Sequence, residues 1–265
     1  MTVREVPVAE LDSVFGFQEK LRLLSTTVDK PLADFKMEVD DAPLFRYIYR
    51  NFKPKRHLEF GTWEGFGTVL CLEECDATVW TINLLEGELK PDGTWAYGGE
   101  FLESEVVPEW ARNATVGVAG ESRSHYQSDS QGFIGRLYLE KKLGHRVCQI
   151  YADSRDWDPS SFPKGFFDTI LIDGGHTKEV VLNDTKKGLE LLRPGGIILW
   201  HDFYLSDKPL SEGSSSYGVV RAVQEDLAML DLHLSDLFWI NPSWILVGIK
   251  NSGLLKTLRH RFFPH

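Results

Sequence analysis

Residues 57–74, HLEFGTWEGFGTVLCLEE, read as a strand, a glycine-rich turn and a helix. The glycines stand at 61, 65 and 67, a G-x-x-x-G-x-G spacing. A dinucleotide-binding turn needs G-x-G-x-x-G, and Trp63 stands where its second glycine belongs. A P-loop closes on Gly-Lys-Ser/Thr, whereas this turn ends in GFGT without a lysine. A pyrophosphate seated on the helix N-terminus is therefore not the expected ligand. Glu59, two residues before Gly61, points the same way. A carboxylate at the strand end repels phosphate and suits a cation or an amino group. Gly61 and Gly65 let the backbone approach such a ligand with no Cβ in between.

Outward from this turn the chain alternates. RHLEFG is a strand, GTVLCLEECD a helix and ATVWTINL a strand; HRVCQIYAD and FDTILIDGG are strands; TKEVVLNDTKKGLELL is a helix. RPGGIILWHDF is a further strand, VVRAVQEDLAML a helix, and LHLSDLFWI with WILVGIK forms a hairpin around NPS. Strand–helix alternation predicts an α/β fold, a doubly wound and mostly parallel sheet of seven strands covered on both faces, with an antiparallel hairpin at the edge. Before the turn, Val8, Leu11, Val14, Phe15, Leu21 and Leu24 recur at helical spacing over 8–27. A second helix runs from about Ala42 to Asn51, with Asp41 as N-cap and Pro43 in its first turn. The expected organisation is a helical cap over 1–54, the main domain over 55–250 and a tail over 251–265. An insert at about 86–145 carries Trp95, Tyr97, Phe101, Trp110, Tyr126, Phe133 and Tyr138, and is read as a lid or acceptor-binding segment.

Composition narrows the function. The 265 residues carry 29 Lys+Arg against 39 Asp+Glu, a formal charge of −10, which argues against nucleic acid as partner. The apolar runs are too short for stable membrane insertion, and the N-terminus lacks the pattern of a signal peptide, so a cytoplasmic protein is expected. The tail reads as a docked or frayed helix. Cys71, Cys75 and Cys148 do not make an even disulfide framework and are read as reduced core residues. The Asn-x-Thr sequons at Asn113 and Asn183 are then chance matches.

The pattern E-x-G-x-x-x-G at 59–65 resembles motif I of the class I S-adenosylmethionine-dependent methyltransferases, whose cofactor carries a positive sulfonium and amino group. IDGGHT and LRPGGIILWHD resemble the DGxH and GGxxxxHD motifs of a branch acting on sugars and natural products. The resemblance spans about residues 55–205, excluding much of the insert. It implies cofactor contacts from Glu59, Gly61, Thr62, Trp63, Gly65 and Asp173. Asn83 stands where the family has a ribose-binding acid, and Asp153 or Ser154 flanks the adenine. In oxygen-directed relatives a divalent ion such as Mg²⁺ or Mn²⁺ sits on the strand-four acid and an acidic pair after strand five. Here those positions are Asp173, His201 and Asp202, with His replacing the first acid of the pair.

Proton removal from an acceptor hydroxyl needs a base that titrates near neutrality, and His176 is the first choice, with Asp202 second. His57, His125, His145, His233, His260 and His265 are read as surface or structural. The reading is methyl transfer from S-adenosylmethionine to a hydroxyl of a small molecule, a sugar or natural product, by an enzyme compatible with homo-oligomer formation. The alternatives are a dinucleotide-dependent oxidoreductase on a similar sheet, or a cofactor-binding relative linked to hydroxylation.

Overall fold

The computed structural model describes residues 2–22, 37–84, 117–119, 134–206 and 208–252. In chain order the elements begin with strand β1 (Arg4–Pro7), a 3-10 turn (Val8–Glu10), helix α1 (Leu11–Phe15), a π-helical turn (Met37–Asp41) and α2 (Ala42–Phe52). The central part is β2 (Arg56–Phe60), α3 (Phe66–Glu74), β3 (Thr78–Asn83), β4 (Gly117–Ala119), α4 (Arg136–Glu140) and β5 (Val147–Tyr151). The chain continues through β6 (Phe167–Ile172), α5 (Lys178–Leu191), β7 (Leu192–Trp200), α6 (Ser215–Glu225), α7 (Leu227–His233), β8 (Leu234–Asn241) and β9 (Leu246–Lys250).

One nine-stranded sheet runs β1-β8-β9-β7-β6-β2-β3-β5-β4. Only β9 is antiparallel to its neighbours, β7 and β8. The seven expected strands make up the continuous middle, and the hairpin is the pair β8–β9. Two strands extend it: β1 pairs parallel with β8, and β4 with β5. β2 is followed on one side by β3 and on the other by β6. The chain order reverses there, which places a crevice beyond the carboxyl ends of β2 and β6.

Period-two alternation on the central strands feeds two cores. Leu171 and Leu199 join Phe45, Ile48, Leu70 and Val247 on the face covered by α2 and α3. Leu58, Phe60, Ile170, Ile172, Ile198 and Trp200 join Leu189 and Val219 on the face covered by α5 and α6. Each large side chain buried this way contributes about 1.5–3 kcal/mol. His57 faces the first core, is fully buried, and lies 2.8 Å from Thr169 Oγ1; burial pushes its pKa down to about 3, so it is a neutral structural residue.

The expected helix over 8–27 is much shorter. Gly16 adopts φ 63° and its N–H closes on the Asp12 carbonyl, which ends α1 after Phe15. Asp12 then holds the following segment, accepting from Leu21 N–H (3.1 Å) and Tyr47 O–H (2.9 Å). Arg146 donates to the carbonyls of Leu72, Cys75 and Ala77 and so satisfies the C-terminal end of α3. The three cysteines are free; Cys71 is buried, with its sulfur 3.8 Å from that of Cys75. Among the described residues no helix is long and apolar enough to cross a membrane. Most of the expected lid, including Trp95, Tyr97, Phe101, Trp110, Tyr126 and Phe133, lies outside the described residues, as do His125, the Asn113 sequon and the tail beyond residue 252. Tyr138 is described, and it is a core residue: fully buried, donating to Gln149 Oε1 at 3.0 Å.

Candidate active site

The glycine turn is held by contacts that leave no room for side chains. Gly61 has φ 96° and donates its N–H to the Ile82 carbonyl. A Cβ there would lie 2.1 Å from the carbonyl oxygen of Asp173, so two strand ends meet at this glycine. Gly65 has φ 88° and faces the Tyr138 ring, which a Cβ would approach to 2.7 Å. Asn83, at the end of β3, accepts from Thr62 N–H (3.1 Å) and Trp63 N–H (3.0 Å) with Oδ1. Its Nδ2 donates to the Leu84 carbonyl at 2.7 Å. The Thr62 hydroxyl is buried, 2.7 Å from Thr81 Oγ1, and accepts from Gln149 Nε2 at 2.9 Å. Trp63 sits at φ 43°, an uncommon backbone for a bulky residue, with 52% of its surface exposed.

Glu59 lies beneath this turn. Its side chain is 1% exposed, accepts from the Thr68 hydroxyl, and packs so closely on Gly67 that a Cβ there would meet Oε1 at 2.1 Å. Burial pushes its pKa up to about 8 against the opposing pull of Thr68. At neutral pH the carboxyl is mostly neutral.

Across the crevice, the loops after β6 and β7 bring Asp173, His176, His201 and Asp202 together. His176 Nε2 lies 2.8 Å from Asp202 Oδ2, with 43% of the histidine side chain exposed. Asp202 itself is buried in the left-handed region (φ 58°) and accepts from the Ser215 hydroxyl at 2.9 Å with Oδ1. His201 is buried. Its Nδ1 is 3.2 Å from Asp173 Oδ1 and 3.5 Å from Asp202 Oδ2, and its Nε2 is 3.1 Å from Asp41 Oδ2. Burial opposes charge on both histidines. Asp173, Asp202 and Asp41 override it at His201, and chiefly Asp202 at His176, so both hold their proton above the ordinary histidine value. Burial also works against ionising Asp202, but the two imidazoles outweigh it and keep that carboxyl far below the usual range.

The backbone of this loop rests on α6. A Cβ on Gly218 would lie 1.9 Å from the carbonyl oxygen of His176 and 2.9 Å from the Lys178 nitrogen. Ala is favoured over Gly inside a helix by about 1 kcal/mol. The clash with backbone reverses the sign, and Gly218→Ala is expected to destabilise by about 1–3 kcal/mol in denaturant titrations.

Residues 58–203 match the family model described as a methyltransferase domain. This chain belongs to that methyltransferase family. Its membership bears out the expected methyltransferase over the alternative of a dinucleotide-dependent oxidoreductase. No curated protein matches the sequence. Among solved structures, the SAH-bound methyltransferase PaMTH1 of Podospora anserina is 18% identical, with 91% of this chain and 94% of that chain covered and a TM-score of 0.50. The O-methyltransferase from Bacillus cereus in complex with SAH is 14% identical (92% and 89% covered, TM-score 0.46). TomG from Streptomyces achromogenes, an O-methyltransferase in complex with SAM, is 16% identical (91% and 96% covered, TM-score 0.45).

In this methyltransferase the residues expected to contact the cofactor also make contacts within the protein. Glu59, expected to face the cofactor, lies under α3, and burial raises its pKa. Asn83 is engaged with the turn's own backbone, since an amide at that strand end satisfies the N–H groups of Thr62 and Trp63. Asp153 is closed by Arg155, whose Nε lies 3.0 Å from Oδ1. The Ser154 carbonyl is held by Lys187 (2.6 Å) and Asn183 (3.0 Å) from α5. Asp41 makes no side-chain cap on α2; its carboxylate goes to His201 instead. The sequence alone marks neither Asp41 as a site residue nor Gln149 or Ser215, and it marks Tyr138 only as an aromatic of the insert. The one local signal at Asp41, an acid before Ala-Pro, reads as a helix cap.

Proposed function

We propose that this methyltransferase transfers the methyl group of S-adenosylmethionine to a hydroxyl of a small molecule, a sugar or natural product. The observation that carries the reading is the His176–Asp202 pair beside the crevice. Nε2 is committed to Asp202, and Nδ1 has no partner among the described residues. A carboxylate behind an imidazole fixes its orientation and leaves the other nitrogen to accept a proton. As the acceptor oxygen forms its bond to the methyl carbon and the carbon–sulfur bond breaks, His176 Nδ1 takes the hydroxyl proton. The products are a methyl ether, S-adenosylhomocysteine and a protonated His176, which Asp202 stabilises.

The crevice suits that cofactor. Left-handed glycines at 61 and 65 keep Cβ atoms out of the turn, and the Asp173 carboxylate at the end of β6 replaces Glu59 as the negative charge near a sulfonium. The Podospora anserina neighbour, of the same fold, is SAH-bound. Asp173, His201 and Asp202 also fit a divalent cation, with ligand atoms within 4.8 Å of one another. One imidazole between two carboxylates favours Mn²⁺ or a softer first-row ion over Mg²⁺. Such an ion, when bound, would lower the pKa of an acceptor hydroxyl.

S-Adenosylhomocysteine at 100 times its dissociation constant is expected to stabilise the protein by about 2.7 kcal/mol. For a chain of this size the melting temperature then rises on the order of 5–10 °C. Stabilisation by NAD and not by S-adenosylhomocysteine would overturn the cofactor assignment. Transfer of labelled methyl to nitrogen rather than oxygen in an acceptor screen would overturn the hydroxyl.

A further inference from the structure

Asp41 is fully buried, yet its carboxylate does nothing for the helix it precedes. Oδ1 accepts from the Trp244 backbone N–H at 3.3 Å, and Oδ2 faces His201 Nε2 at 3.1 Å. The imidazole is thus strung between two sides: Asp41 on Nε2, Asp173 and Asp202 on Nδ1. Phe45 and Trp244 lie against it, each with its ring centroid 6.0 Å from that of His201. Asp41 comes from the N-terminal segment, 160 positions before His201.

We propose that Asp41 is a positioning residue of the site. It accepts the Nε2 proton of His201 and thereby turns Nδ1 toward Asp173 and Asp202. A carboxylate on one nitrogen of a histidine settles which nitrogen works and how the ring is oriented. The N-terminal segment is then part of the functional site, because the group that faces Asp173 is set from behind by Asp41.

The isosteric variant Asp41→Asn tests this sharply. The Trp244 N–H requires an acceptor, so the amide oxygen takes the place of Oδ1. The amide NH₂ is left facing His201 Nε2. A donor now meets that nitrogen, which must become the unprotonated one. Long-range proton–nitrogen correlation spectra of ¹⁵N-histidine-labelled protein at neutral pH, with His201 assigned through its backbone, read this directly. The expected result is a protonated Nε2 in the wild type and in Asp173→Asn, and an unprotonated Nε2 in Asp41→Asn. An unprotonated Nε2 in the wild type overturns the proposal even if the variant does not fold. So does an Nε2 that stays protonated in a folded Asp41→Asn protein.

A calorimetric titration with Mn²⁺ adds a second reading, which rests on the divalent-ion assignment above. Asp41→Asn is expected to weaken the ion by about 10- to 100-fold. Equal affinity in the folded variant and the wild type would overturn the positioning role. If wild-type protein takes up no Mn²⁺, the ion assignment fails, and the nitrogen spectra still decide on Asp41.

Discussion

Asp202→Asn is expected to lower methyl transfer by about 10²- to 10⁴-fold, the usual contribution of a positioned proton acceptor. Asn tolerates the left-handed backbone at this position (φ 58°). Its amide oxygen can still accept from Ser215, so the fold is kept. What changes is the partner of His176. A carboxylate oxygen 2.8 Å from Nε2 becomes an amide NH₂, which offers a donor where the imidazole needs an acceptor. The ring loses its orientation and the charge that stabilises its protonated form. Asp202 is also a proposed cation ligand, so a second variant separates the two roles. His176→Gln leaves Asp173, His201 and Asp202 in place and should lose turnover while keeping Mn²⁺ and S-adenosylhomocysteine affinity. Full turnover in His176→Gln would remove the histidine from the mechanism.

The pH dependence follows from the same pair. A base works only when unprotonated, and Asp202 holds His176 above the ordinary histidine pKa of about 6.5. Wild-type activity should therefore rise through a pKa above that value. In Asp202→Asn the acid limb should move to lower pH while the plateau drops. Stability runs the other way. A histidine whose folded pKa is raised contributes stability that is full below its unfolded pKa and is lost as pH rises through the folded one. His176 and His201 both have raised values, so the wild type should lose stability as pH climbs above about 6.5. The carboxyl of Asp202 is held low, and its contribution disappears only in strong acid. Asp202→Asn should flatten the fall on the alkaline side. Melting temperatures measured from pH 5 to 9 check this.

Local pattern and long-range packing divide what could be read from the sequence. Apolar period and turn residues report on a few neighbours at a time, and they located the seven central strands and the hairpin. They also set IDGGH and WHD at strand ends, because β6 and β7 stop where those polar residues begin. The convergence of Asp173, His176, His201 and Asp202 follows from the adjacency of those two strands. The burial of Glu59 was illegible because its neighbours in sequence say nothing of the helix lying over it. Gly67, read only as part of a motif, is what admits the carboxyl beneath α3. Asp41 was illegible for a related reason: a cap and a buried ion-pair partner look alike until the residue 160 positions away is in place. β1 escaped because four residues with one buried position, Val6, carry no period strong enough to compete with the helical spacing that follows.

Gly61→Ala should be strongly damaging. Two costs add. The backbone at φ 96° disfavours any L side chain by about 1–2 kcal/mol. The new Cβ would stand 2.1 Å from the Asp173 carbonyl oxygen and 2.7 Å from the Gly174 Cα, and both are backbone atoms that cannot rotate away. Forcing them apart costs about a further 1–3 kcal/mol. Gly16→Ala is the control that isolates the first cost. Gly16 has φ 63° and nothing within 4 Å of its added Cβ, so only the backbone penalty applies. The expected order is a small loss for Gly16→Ala and a melting temperature lower by on the order of 10 °C for Gly61→Ala. The relief of the clash moves the end of β6, which carries Asp173 and the loop to His176. Affinity for S-adenosylhomocysteine should therefore fall in Gly61→Ala beyond what its lower stability explains, and stay unchanged in Gly16→Ala. Equal losses of stability in the two variants would mean that the strand ends part freely, and that the close approach of Gly61 to Asp173 does not hold the crevice in shape.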